Sequence, residues 1–102
     1  DAAGDYAAAL KEQPGHFLAR YNLSRIYLMK GEWSRAEAEM KQILERLPNH
    51  AYTLNNLAYL AMKRDQDCGR ALELAEKANG LKPSDAVLKE SLESIRKVCR
   101  KN

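Results

Sequence analysis

The chain has 102 residues, 45% apolar and 30% charged, the balance of a small globular unit rather than a disordered tail. Its 17 basic and 14 acidic residues leave a net charge of +3, too mild to argue for nucleic acid or a membrane surface. No apolar run approaches the ~20 residues of a membrane span, and no signal-peptide pattern opens the chain.

In chain order, apolar spacing and Pro, Gly and Asn/Asp punctuation predict helices over 2–13, 17–30, 33–47, 51–64, 68–80 and 85–100. The first carries Tyr6 and Leu10 and ends before Pro14. The second repeats apolar residues at intervals of three and four (Phe17, Tyr21, Leu28; Leu23, Ile26, Tyr27), the period of a helix and not of a strand. Gly31 stands where a left-handed residue is needed to close it. The third carries Trp33, Ala36, Met40, Ile43 and Leu44, and Pro48 lies beyond it, where a missing N–H does no harm. The fourth runs through Leu54, Leu57, Ala58 and Ala61, and the fifth through Ala71, Ala75 and Ala78. Asn79-Gly80 is expected to end the fifth, because Gly costs about 1 kcal/mol against Ala inside a helix. Ser84-Asp85 offers an N-cap for the sixth, whose apolar positions are Leu88, Leu92, Ile95 and Val98.

These helices repeat. Pro14-Gly15-His16 returns after 34 residues as Pro48-Asn49-His50, and Pro83-Ser84-Asp85 follows after 35. Asn22-Leu23 recurs as Asn56-Leu57, and Ala36 as Ala71 with one residue inserted. A period of 34 is that of helix–turn–helix units that stack on their neighbours, each unit burying what it cannot bury alone.

The pattern resembles the tetratricopeptide repeat. One unit runs over 17–50, with Leu23-Ser24, Tyr27, Gly31, Ala36, Met40, Leu44 and Pro48 at the family's places. A second runs over 51–85, with Leu54, Leu57-Ala58, Ala61, Ala71, Ala75, Ala78 and Pro83. Residues 1–16 fit the second helix of a preceding repeat, and 86–102 a capping helix with a polar outer face. The departures are Arg20 where the family often has Trp, Met40 where it prefers an aromatic, and an extra residue within Arg64–Arg70 with no Gly at that turn. The resemblance implies an all-α, right-handed solenoid of antiparallel helix pairs. Asp1 in place of a starting Met adds the expectation of a fragment, cut at its N-terminus and natural at its C-terminus.

In this family the first helix of each pair lines a concave groove. The implied groove residues are Leu18, Tyr21, Asn22 and Arg25, with Leu28 or Met29, in the first unit. In the second they are Tyr52, Asn55, Asn56, Tyr59 and Met62, with Val87, Glu90, Ser91 and Ser94 of the cap helix at the far edge. Tyrosines suit a groove because each offers a flat ring and one polar handle. Asn amides can bond the backbone of an extended peptide. Packing between helices is the plainer reading for both residue types. The family's carboxylate clamp is not expected: of its Lys, Asn, Asn, Lys and Arg, the equivalent positions hold Tyr21, Arg25, Asn56, Val87 and Ser91, and only Asn56 matches.

Cys68 opens the fifth helix and Cys99 lies near the end of the sixth, so antiparallel packing would bring them together. A disulfide there would staple the cap and imply an oxidising compartment; two half-buried thiols are the alternative. His16 and His50 share a register, but with no third ligand nearby they read as turn residues, and no metal or other cofactor is expected. The cations Arg96, Lys97, Arg100 and Lys101 suit a helix C-terminus. No catalytic set is recognisable. The expected function is therefore protein–protein binding to a peptide or helix of a partner. Self-association is the alternative, through a face of the first helix left bare at Tyr6 and Leu10. A nucleic-acid adaptor comes third and an enzyme a distant fourth. The Leu54–Tyr59 and Ala71–Ala78 strings are similar to bacterial envelope or secretion scaffolds, which leaves envelope and cytoplasm both open.

Overall fold

The computed structural model describes residues 1–100. Lys101 and Asn102, the end of the expected cap segment, lie outside the described residues. Among the described residues the regular elements are six helices: α1 (Ala2–Glu12), α2 (Phe17–Met29), α3 (Trp33–Arg46), α4 (Ala51–Lys63), α5 (Cys68–Leu81) and α6 (Ala86–Cys99). The fold is an all-α helical repeat. It divides into two compact units, Asp1–Pro48 and Asn49–Asn102.

Side-chain caps start most of the helices. Asp1, Asp67 and Asp85 accept the backbone N–H of Gly4, Arg70 and Leu88 at 2.7, 3.0 and 3.1 Å. His16 and His50 do the same through Nδ1, taking the N–H of Ala19 at 3.2 Å and of Thr53 at 3.3 Å. The shared histidine register is thus a capping register. Each cap satisfies a helix-start donor that would otherwise have no partner, typically worth about 1 kcal/mol.

In the first unit α1 packs on α2 and α2 on α3. Leu10, Ala19 and Leu23 are buried together, with Ala3, Tyr6, Ala9 and Tyr27 packed around them. The α1 stripe expected to be bare is covered in part: Leu10 is buried against α2, where burial is favourable, and Tyr6 is half-buried beside it. Arg20 is 9% exposed, and its guanidinium donates to Glu39 of α3 at 2.6 Å and to the carbonyl of Pro14 at 2.9 Å. The same side chain thus holds the α1–α2 turn and α3. Gly31, at φ 75°, turns the chain from α2 into α3, a conformation open to Gly at little steric cost.

In the second unit α4 packs on α5, and α6 packs on both. Ala58, Ala61, Ala71, Ala75, Leu92 and Ile95 form its core, bordered by Met62, Leu72, Leu74 and Cys99. Small residues on α4 and α5 let those helices approach closely, and the larger side chains of α6 fill the space that remains. Leu88, Leu92 and Ile95 are all buried, each worth roughly 1.5–3 kcal/mol. Cys68 and Cys99 are joined as a disulfide, with their Cα atoms 5.6 Å apart. Arg96 reaches Glu76 of α5 at 3.6 Å, a second tie beside the covalent one.

One local expectation fails. Helix α5 does not stop at Asn79-Gly80 but continues to Leu81. Buried Ala78 holds the last turn, and Gly80 faces open space, so the propensity cost is small against the packing gain. At the α4–α5 turn, where no Gly is present, Gln66 takes the left-handed conformation at φ 51°. The inserted residue makes that turn longer, and the N–H of Asp67 closes it onto the carbonyl of Ala61 at 3.0 Å.

Candidate functional site

The exposed side of α2 in the first unit carries Leu18 at 65% and Met29 at 82% exposure. Tyr21 and Asn22 are half-buried beside them, and the guanidinium of Arg25 lies 5.9 Å from the centre of the Tyr21 ring. Leu28 is buried and points the other way, so of the pair Leu28 and Met29 it is Met29 that faces solvent. The surface has exposed apolar side chains at both ends and a cation between them.

The second unit builds a true concavity. Asn55, Tyr59 and Met62 from α4 and Val87, Glu90, Ser91, Ser94 and Ile95 from α6 line a space of about 320 Å³. Spacing sets this up: 55, 59 and 62 fall on one stripe of α4, and 87, 91 and 94 on one stripe of α6. Tyr59 and Val87 are 40% and 60% exposed, large apolar groups held open to solvent. The Oδ1 of Asn55 is buried without a hydrogen-bond partner. Such an orphaned acceptor costs about 1–3 kcal/mol.

Tyr52 and Asn56 do not line this space. The Tyr52 hydroxyl donates to the carboxylate of Asp85, the N-cap of α6. Its ring meets the Lys82 ammonium at 5.4 Å and the edge of His50 at 6.3 Å. Tyr52 thereby ties the start of α4 to the start of α6. The Tyr52 hydroxyl, aided by the Leu88 N–H, holds the Asp85 carboxyl below its ordinary range. Burial, and then the Lys82 charge, lower His50 below the usual imidazole value, and its Nδ1 also lies 2.7 Å from Thr53 Oγ1. Asn56 Nδ2 is another buried polar atom with no partner.

Arg20 is what the sequence reading missed. It stood out as a departure from the repeat pattern, and its 19-residue separation from Glu39 hid the pair. Among the described residues no group of three or more His, Cys, Asp or Glu is placed to hold a metal ion. No helix among them is long and apolar enough to cross a membrane.

Comparison with known proteins agrees with this geometry. The family model for the tetratricopeptide repeat matches residues 1–58. A TPR repeat-containing protein of Pseudomonas aeruginosa is 29% identical over 83 residues, which cover 81% of this chain but only 14% of that relative's length. Proteins built on this repeat are typically non-catalytic scaffolds for protein–protein interaction. The pairs α2–α3 and α4–α5, the Pro14 and Pro48 register and the matched segment together place the chain in the tetratricopeptide repeat family.

Proposed function

We propose that this chain is a non-catalytic protein-binding module that holds an extended segment or a helix of a partner protein in the concavity between α4 and α6. The observation that carries the reading is that Tyr59 and Val87 stay open to solvent over a concave, largely apolar floor, beside Glu90, Ser91 and Ser94. A recognition surface needs apolar anchor sites with a few placed polar groups, and this space has both. The groove role of Leu18, Tyr21, Asn22 and Arg25 is part of the proposal, as a second contact surface on α2. Tyr52 serves it indirectly, by tying the start of α4 to the start of α6; Asn56 remains part of the proposal as a groove residue outside this concavity.

The experiment is capture from an extract of the source cells on the immobilised chain, beside a Tyr59→Ala/Val87→Asp variant. Val87 is 60% exposed and Tyr59 40%, so the helices should be retained, and the melting of the variant is compared with that of the parent chain. A partner held by the parent chain and lost by the variant is the expected result. Equal capture by both would move binding away from this concavity.

A further inference from the structure

We infer that the α4–α6 concavity selects partner segments that carry a cationic side chain next to an apolar one. The inference rests on the binding reading above and specifies the ligand's chemistry. The apolar half of the requirement comes from the floor: Tyr59, Met62, Val87 and Ile95 offer a surface that only an apolar side chain covers without losing hydrogen bonds.

The cationic half comes from the polar lining. Glu90 is the charged residue in the wall, exposed on α6 and with no salt-bridge partner among the described residues. Ser91 and Ser94 can adapt in either sense. One turn further along α6, Glu93 joins Glu90, Ser94 and Lys97 around an adjoining hollow of about 340 Å³. That rim holds two carboxylates against one ammonium. A ligand bringing positive charge therefore pairs Glu90. A ligand bringing a carboxylate would face Glu90, so acidic segments are selected against.

The test uses an immobilised array of short synthetic peptides with one leucine anchor. The neighbouring residue is lysine, norleucine (the same chain without the charge) or glutamate, and the remaining positions are mixed. Binding of the fluorescently labelled chain is read for the parent, Glu90→Gln, Glu90→Lys and Val87→Asp. An exposed charge pair is worth about two- to fivefold, so the lysine series should bind the parent tighter than the norleucine series by that factor and the glutamate series weakest. Glu90→Gln should level lysine with norleucine, and Glu90→Lys should reverse the order of lysine and glutamate. Val87→Asp should weaken every series. If lysine and norleucine bind the parent equally, or Glu90→Lys leaves the order unchanged while Val87→Asp still weakens every series, the cation preference is wrong and the binding reading stands. If no series binds the parent above background, or Val87→Asp changes nothing, both fall.

Discussion

The first and second units face the same task of fixing a third helix to a helix pair, and they use different chemistry. In the first, Arg20 crosses from α2 to Glu39 on α3 while also holding the carbonyl of Pro14 in the α1–α2 turn. In the second, α6 is fastened to α5 by the covalent Cys68–Cys99 link, and its start is tied to α4 by Tyr52 and Asp85. The turns differ in the same way: Gly31 makes the α2–α3 turn, and Gln66 is forced into a similar backbone region between α4 and α5. The caps differ too, since His16 meets Ala19 where His50 meets the N–H and hydroxyl of Thr53. One repeat register thus accommodates fasteners sensitive to entirely different conditions. The concavity sits in the unit whose fasteners respond to redox state and pH.

The largest expected effect comes from cutting the covalent fastener. The link spans 31 residues, and removing such a constraint costs roughly 3–4 kcal/mol through the entropy returned to the unfolded chain. Cys68→Ser/Cys99→Ser, or reduction of the parent chain, should lower hydrogen-exchange protection across α5 and α6 and leave α2 and α3 unchanged. Equal loss in both units would mean that they do not unfold separately.

Next is the ion pair of the first unit. Its side chains are only 11% and 15% exposed, so Arg20→Met strands a mostly buried carboxylate and should cost about 3 kcal/mol in urea unfolding. Adding Glu39→Leu should recover most of that, because two apolar groups replace the pair without stranding a charge. A double variant as unstable as the single would show that the guanidinium's bond to Pro14 carries the effect.

The pH response should separate the units further. Both Asp85 and His50 have folded values lowered from their ordinary ones. The stabilisation from His50 is complete above the ordinary imidazole value and is lost as pH falls below it, because burial and then the nearby Lys82 charge disfavour the protonated ring in the folded chain. That from Asp85 is complete above the ordinary carboxylate value and is lost as pH falls through the lowered one. Melting of the second unit should therefore decline in two steps on acidification, the first removed by His50→Asn and the second flattened by Tyr52→Phe. A single step unaffected by either change would dissociate these groups from the transition.

The smallest effects are at the turns. Gln66→Gly should stabilise the second unit by about 0.5–1 kcal/mol, and Gly31→Gln should cost the first about 1–2 kcal/mol, both read as shifts in melting. Gln66→Gly carries one opposing term, the larger conformational freedom that Gly gives the unfolded chain.

Much of the fold was legible before any coordinates. Apolar spacing, the prolines and Gly31 placed the helices to within a residue or two, because helix period and helix stops are local properties of the chain. The Asp85 cap was visible for the same reason, and the register of His16 and His50 was evident although its capping use was not. The concavity was legible only in part: Asn55, Tyr59, Met62, Val87, Glu90, Ser91 and Ser94 follow from repeat register, and the structure sets them around one space. Local propensity misjudged the end of α5, where tertiary burial of Ala78 outweighs the preference of Gly80. It also left α1 bare, where α2 in fact covers Leu10.

The sequence by itself determined the helices, their period and the repeat family, since these depend on residues within a turn or two of one another and on a spacing that recurs. Tertiary structure alone decided which side chains Arg20 and Tyr52 hold, that Leu28 turns inward while Met29 faces out, and that Asn55 keeps a buried acceptor unpaired. Those outcomes depend on how residues 19, 33 or more positions apart meet, and on the rotation of each helix about its axis. Distance and burial set them, and neither is a property of a linear string.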